Sequence, residues 1–534
     1  MWPLKEINMS DLFIINQNYP TDDAPISIQN ATITLLPAPF YTGSKVTQNF
    51  QLSLNDKILT PDRDYVIYDN KKVELGTYTA TFYGVGKYTG SIIQSWKLKS
   101  KGVITPSVDS IIIGGIGSSK TITITKTGTG TISANSNNSN VATVNVTGNN
   151  LLITTSGLGE TEIVIHLEET EDYTYAELVL HIEVIPIYGV DWDKSSSTTL
   201  TRTNEATLFA NPNPAIGTGE GSSPFDEIYP WSEIKRVTID GNEMVEIPKF
   251  YYKWTDGENS LKLQIAPKPI DGFFISPAHA DRGDNAGERD YVYVGRYHCS
   301  SGYKSITGAS PLTSITRAAA RTGCTSLGTG YYQYDYAMLW TIRMLYLVEF
   351  ADWDAQKVIG YGCGNGSAKQ NTGNSDNMTY HTGTSQSSRT TYGVGVQYRY
   401  IEGLWDNIMN WCDGIVMSNN EPYVTNVVAN YGDSITNHTK VGNGISTSSG
   451  GCISGWSVPT TSNLEWALYP SSVNGTDYTL YCADRGYTNS SYVVVYVGGS
   501  YSQSLSYGMF CSAMTSTSNS GSFGARLQYL PPAS

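Results

Sequence analysis

Cysteine is scarce in this 534-residue chain and unevenly spread: there are seven, none before Cys299, and no Cys-x-x-Cys pair. An odd set without close spacing (Cys299, Cys324, Cys363, Cys412, Cys452, Cys482, Cys511) argues against a small secreted disulfide scaffold and against a clustered zinc site. Buried, reduced thiols are the expectation. Charge is scarce too: 15% of residues are charged, the net charge is -14, and no run of Lys and Arg forms a basic face for nucleic acid. The six histidines (His166, His181, His279, His298, His381, His438) are scattered, with no His-x-x-x-His or His-x-x-Glu spacing. No apolar run is long enough to span a bilayer, and Met1 to Asn18 lacks the pattern of a signal peptide. What is present is an apolar content of 40% and 52 glycines, the composition of a folded, β-rich, acidic protein. At roughly 150 residues per domain the length suggests about three or four domains.

After a polar leader, residues 1–25, short alternating runs separated by turns predict a small β-sandwich over 26–100: Ile26 to Leu35, Phe50 to Leu54, Tyr65 to Tyr68, Tyr78 to Tyr83 and Ile92 to Trp96. The segment YTGSKVTQNFQLSLNDKILTPDRDYVIYDN followed by GTYTATFYGVGKYTG resembles the immunoglobulin-like repeats of bacterial surface and phage tail proteins. A second sandwich is predicted over 101–187, with strands Asp109 to Ile113, Lys120 to Lys126, Val141 to Val146, Leu151 to Thr155, Glu162 to Leu167 and Ala176 to Val184. Its SNNSNVATVNVTGNNLLITTSGLGETEIVI resembles the group 2 bacterial immunoglobulin-like domain. The two share no close repeat and read as adjacent spacers.

From Tyr188 the composition turns to Gly, Trp and Tyr with long loops. Pro248, within Met244 to Trp254, argues for an edge position or a strand break. Two helices are expected: a short one at Ser314 to Arg321, and Asp335 to Phe350, apolar almost all round and so destined for a core, with the acid at its N-terminus where it is favoured. Cys363 to Tyr392 reads as a long surface loop, and Gly360, Gly362, Gly364 and Gly366 within it as flexible chain, since no helix start or Gly-Lys-Ser/Thr step follows.

The organising stretch lies late. None of the forty residues between Arg485 and Arg526 carries a charge, and fifteen of the thirty-four from Tyr487 to Ser520 are Ser or Tyr. Tyr offers large rigid contact area and Ser adaptable hydrogen bonding, the composition of a paratope; the alternative is a Ser/Tyr-rich edge of an ordinary β domain. Ser491 to Val497 alternates, with Val493, Val495 and Val497 on one face and Tyr492, Val494 and Tyr496 on the other. Gly498 and Gly499 then turn the chain, and strands at about Tyr507 to Ala513 and Phe523 to Leu530 follow.

Taken together, SSPFDEIYPW, IPKFYYKW, YVYVGRYHCSSGYKSITG, MLYLVEFADWD, GLWDNIMNW, VGGSYS and FGARLQYL resemble, over 188–534, the C-type-lectin-fold proteins of tailed bacteriophages, and more narrowly the formylglycine-generating-enzyme-type branch. That branch has a Gly-Gly-Ser-aromatic step, here Gly498, Gly499, Ser500 and Tyr501, followed by a Gly-Phe-Arg-Leu-like end, here Gly524, Ala525, Arg526 and Leu527. Several such proteins are targets of diversity-generating retroelements. The resemblance implies a variable region at about 485–527 whose ligand-contact set is Tyr487, Asn489, Tyr492, Tyr496, Tyr501, Gln503, Ser504, Leu505, Tyr507, Ser512, Met514 and Ser516. It implies Val493, Val495, Gly498, Gly499, Trp405 and Arg526 as the scaffold. The chain departs from the calcium-dependent lectins, because Glu421-Pro422 is followed by Tyr423, and Trp405-Asp406-Asn407 inverts their last two residues. The oxidases of the branch need a late cysteine pair; Cys482 and Cys511 are late, with no further sign of that chemistry.

Of other chemistry-bearing groups, Asp352 and Asp354 are expected to end the helix or meet solvent, Asp433 and Asp484 to line a site near the C-terminal strands, and Arg282-Gly283-Asp284 to be a chance tripeptide. The expectation is therefore a multidomain, mainly β protein: two immunoglobulin-like sandwiches, then an α+β C-type-lectin-fold domain. Its expected role is a phage tail receptor-binding protein or adhesin whose partners are a bacterial surface protein or glycan and other virion tail proteins. No catalytic residue, metal, cofactor, nucleic acid or membrane insertion is expected; the place is the virion, or else the bacterial cell surface. The oligomeric state stays open, a homotrimer included, since no heptad or trimerisation motif is visible. A structural virion protein without a ligand and an enzyme on the same fold are the other readings.

Overall fold

A computed structural model describes residues 24–37, 40–445, 450–491, 493–503, 505–515 and 520–532. The fold is mainly β, and the described residues divide into two compact units, one up to Ile113 and from Gly117 to Val184, the other 114–116 with Ile185 onward.

The first unit holds two apolar cores in sequence. One lies between the sheet Ser91–Leu98, Gly76–Gly84, Tyr65–Tyr68 and the sheet Thr32–Leu35, Phe50–Leu54, Lys57–Ile58, and is filled by Leu52, Tyr65, Phe82 and Trp96. Phe50 meets Phe82 edge to face at 5.1 Å, the arrangement the ring quadrupoles favour. The expected strand Ile26 to Leu35 is two pieces, Ile26–Ser27 and Thr32–Leu35, interrupted by a turn at 29–30. The other core separates two four-stranded sheets, Val103–Pro106, Ser119–Thr127, Asn150–Thr155, Ala142–Thr147 and Ser110–Gly114, Ala176–Ile185, Gly159–Leu167, Ile132–Ser136. Ile122, Ile153, Ile163, Ile165 and Leu180 fill it. Ile132–Ser136 escapes a pattern search because Ile132 is its one large apolar residue; its partner strand, in register from Ile132↔Leu167 to Ser136↔Ile163, holds it extended.

The second unit is built around the helix Tyr336–Phe350, every residue of which is buried. Asp335 caps it, accepting a hydrogen bond from the Met338 amide at 2.8 Å, and Ala351 ends it in the left-handed region. The short helix is shifted from the expected span to Arg317–Thr325, because Thr316 supplies the cap, accepting from Ala319 N at 3.1 Å, while Ser314 sits at φ 61°. Pro248 marks a break: Asn242–Pro248 and Tyr251–Asp256 belong to different sheets. Asp352 and Asp354 do not meet solvent; both are buried, Asp352 accepting from Asp354 N at 2.9 Å and Asp354 capping Ala355–Val358. No helix of the described residues is long and apolar enough to cross a membrane.

Two sheets position the C-terminal stretch. In the larger, Val494–Val497 lies between Met409–Ser418 and Ser512–Thr515, and the order continues through Arg485–Tyr487, Gly450–Ser457 and Tyr469–Val473. In the smaller, Arg526–Tyr529 lies between Tyr291–His298 and Tyr331–Gln333. The expected strand Phe523 to Leu530 is thus divided, Phe523–Gly524 pairing with Met409 and Asn410 in the larger sheet before the chain crosses to the smaller.

Candidate functional site

The stretch 485–527 hangs from buried polar anchors. The Asp484 carboxylate accepts hydrogen bonds from the Gly508 amide at 2.6 Å and the Phe510 amide at 2.7 Å, and Arg485 N donates to Ser506 O at 2.7 Å, so the turn after Tyr507 is pinned to the strand Arg485–Tyr487. Residues 507–511, expected as strand, form this turn, and the strand begins only at Ser512. Burial, with the neighbouring Asp354 charge, pushes the Asp484 carboxyl up to about 7. The preceding loop is fixed from the other side: Tyr501 N donates to Asn407 O at 2.9 Å, Asn365 N to Gln503 O at 2.7 Å and Gly366 N to Tyr501 O at 2.5 Å. The glycine run at 360–366, expected to be flexible, is thus a backbone cradle for 501–503. Within 363–392, Cys363 and Met378 are buried and the Glu402 carboxylate accepts from the amides of Gly373 and Ser375, so this segment is only partly a surface loop. Gly498 has φ 72°, and a Cβ there would lie 2.5 Å from Leu404 O, so only glycine fits.

On this frame Ser490, Ser491 and Ser502 are exposed, and Tyr487, Asn489, Tyr501, Gln503, Leu505, Ser506 and Tyr507 are half-buried. Leu505 borders a cavity of about 240 Å³ with Tyr361, Tyr478 and Thr479, and Tyr361 packs on Tyr392 at 5.0 Å. The serines at 490, 491, 502 and 506, outside the named contact set but among the serines expected to surround it, are exposed or half-buried on the same stretch. Tyr361 lies far away in the chain, and Tyr478, although close before Arg485, falls outside the uncharged run.

Three expected contacts need correction. Ser512 and Met514 are buried, because Ser512–Thr515 is an interior strand of the larger sheet; with Tyr487 and Val495 they line a small pocket of about 30 Å³. Tyr496 leans on Phe523, ring centroids 5.0 Å apart, in a small apolar cluster with Trp411 and Val494. The pleat alternates as expected, Val495 and Val497 packing into the main core, but the opposite face of the strand carries this second core where solvent was expected. Val493 is half-buried beside that second cluster, off the main-core face. Tyr492, Ser504 and Ser516 lie outside the described residues.

The scaffold residues are deeply placed. Trp405 Nε1 donates to Gly360 O at 3.0 Å. Arg526 is fully buried, its guanidinium donating to the carbonyls of Gly295 at 2.8 Å and of Glu402 and Gly403 at 2.7 Å each. Gly499 approaches Tyr507 closely, a Cβ there lying 2.3 Å from Tyr507 O. Asp406 is buried, its Oδ2 accepting from Cys363 N at 3.1 Å, and Asn407 exchanges hydrogen bonds with the Gln370 backbone at 2.9 Å.

The groups considered for catalysis are elsewhere engaged. Asp433 pairs with Arg317 at 2.9 Å and Arg321 at 2.7 Å, and these cations hold its carboxyl below the ordinary range against the opposing effect of burial. All seven cysteines are unbridged and buried, and burial pushes the Cys482 and Cys511 thiols upward, away from the thiolate that nucleophilic or redox chemistry needs. Arg282 is buried against Asp335 at 2.8 Å and Asp284 is paired with Arg289, so the Arg-Gly-Asp tripeptide is not displayed. Among the described residues no group of three or more His, Cys, Asp or Glu could hold a metal ion.

No protein-family model matches the chain, and no curated protein matches it. Solved structures similar to parts of it include domains 4 and 5 of the S-layer protein SbsC, at 14% identity over 30% of this chain and 98% of that one, TM-score 0.14. A titin immunoglobulin tandem matches at 13% identity over 29% of this chain and 96% of that one, TM-score 0.13. A C-terminal fragment of intimin, in complex with the intimin-binding domain of its translocated receptor, matches at 13% identity over 32% of this chain and 57% of that one, TM-score 0.17. TM-scores this low leave the description of the fold to its own strand topology.

Proposed function

We propose that the chain is a binding protein, a phage tail receptor-binding protein or adhesin, in which two immunoglobulin-like spacers carry a C-type-lectin-fold head. The head presents the uncharged surface around Tyr487, Tyr501, Ser502 and Tyr507 to a protein or glycan of a bacterial surface. One observation carries the reading: side chains suited to contact hang from a backbone fixed by groups outside the contact set, Asp484 beneath 508–510 and the 360–366 loop beneath 501–503. Side chains on such a frame can change without unfolding it. Tyr487, Tyr501 and Tyr507 act as rigid aromatic anchors, and the serines beside them as adaptable hydrogen-bonding partners. Variation at these positions by a diversity-generating retroelement, and placement on a virion, belong to the same proposal.

The test is adsorption of the purified protein to bacterial cells, compared with a variant carrying Tyr487→Ala, Tyr501→Ala and Tyr507→Ala. Loss of adsorption with an almost unchanged melting temperature supports the proposal. Full adsorption by the variant sinks it and favours a structural role.

A further inference from the structure

We infer that the second unit carries a separate cleft for a neutral oligosaccharide, walled by the strand Phe274–Ile275, the segment 424–430 and the segment 463–466. The cleft has a volume of about 520 Å³, and none of its lining residues belongs to 485–527. That size falls within the roughly 300–1,000 Å³ of small-molecule sites.

The lining chemistry names the ligand class. Phe274 is 41% exposed, a large hydrophobic ring left facing solvent at the cleft, with Tyr252 beside it at 6.1 Å and Trp466 on the wall. An aromatic face of this kind covers the C–H face of a pyranose ring, while polar groups around it bond the ring's hydroxyls. Asn430 and Asn463 bring amides that both donate and accept. Asp281 and Glu465 bring carboxylates, and no Lys or Arg lines the cleft, so an acidic sugar is repelled and a neutral one accepted.

The wall is held in place before any ligand arrives. Arg282, paired with Asp335 at the cap of the central helix, donates through Nε to Asn426 O at 2.8 Å, and Val428 N donates back to Arg282 O at 3.0 Å. On the facing side Ala278 N donates to Thr341 Oγ1 of the same helix at 3.1 Å. A cleft fixed in this way loses little freedom on binding. The inference stands independently of the surface around Tyr501.

The experiment is saturation-transfer NMR and calorimetry of the full chain with cello-, manno- and chito-oligosaccharides as neutral probes and oligogalacturonates as acidic ones. The expected result is binding of at least one neutral probe and of no acidic one, weakened at least tenfold by Phe274→Ala and by Asn430→Ala and unchanged by Tyr501→Ala with Tyr507→Ala. Asn430→Ala and Asn463→Ala, on surface segments, decide the matter if Phe274→Ala fails to fold. Absence of binding by every neutral probe, preference for the acidic ones, or equal affinity in the cleft variants overturns the inference.

Discussion

The two units solve the problem of a stable interior by different means. In the first, Asp64 is the only charged side chain buried among the described residues, and the cores are alternating Ile, Leu, Val and aromatic residues from facing sheets. In the second, Arg282, Arg296, Arg317, Arg343 and Arg526 rank among the largest fully buried side chains, each hydrogen-bonded to carbonyls, carboxylates or both. A sandwich obtains its shape from the period of its strands, whereas a unit with long irregular connections has many unpaired carbonyls to satisfy. A guanidinium, with five donors in a fixed fork, can gather several of them at once. In the second unit these buried guanidiniums tie irregular segments to the core through their carbonyls.

The largest expected effect tests that contrast directly. Arg282→Ala leaves the buried Asp335 without its counter-charge, though still hydrogen-bonded by Met338, Tyr431 and Gln528, and should cost the second unit about 3–5 kcal/mol in denaturant unfolding; a loss too small to measure would mean that the polar interior is incidental. In the first unit a comparable loss requires an apolar truncation: Ile163→Ala, at a fully buried position, should cost about 2–5 kcal/mol. A third comparison concerns pH. Because the Asp484 carboxyl is held up to about 7, the folded chain keeps that proton between roughly pH 4 and 7 while the unfolded chain has lost it, so its contribution to stability falls as pH rises. Measured at a series of pH values, the stability of the native protein should decline relative to Asp484→Asn across that window, by up to ~1.4 kcal/mol per pH unit; a pH-independent difference would refute the assignment. Tyr501→Ala and Tyr507→Ala, at half-buried positions, should each change stability by about 1 kcal/mol or less while removing adsorption. The smallest effect belongs to Lys97→Ala, whose partners Glu171 and Asp172 are exposed, and which should leave thermal unfolding unchanged.

The same contrast explains what could be read in advance. Strands such as Phe50–Leu54 and Gly159–Leu167 declare themselves through alternation, and the helix Tyr336–Phe350 through its apolar length and its cap. Ser512 and Met514 were misplaced because burial of a short polar strand depends on its neighbours on both sides, a fact about sheet order that local pattern does not contain. Asp484 was singled out as a residue near a site, but its role beneath Gly508 and Phe510 depends on a turn that reads as strand in the sequence. The cleft beside Phe274 joins segments separated by some 150 residues, and nothing in any one of them marks it.

The strand Arg526–Tyr529, lodged between Tyr291–His298 and Tyr331–Gln333, follows the uncharged stretch in the chain and completes the smaller sheet. Translation must therefore pass through all of 485–515 before that sheet can close. A premature stop or a shifted reading frame anywhere in the stretch would withhold the strand and leave Arg526's carbonyl partners bare. Completion of the smaller sheet therefore depends on an intact reading frame through the whole uncharged stretch, including its packed positions Val495, Val497, Gly498, Ser512 and Met514.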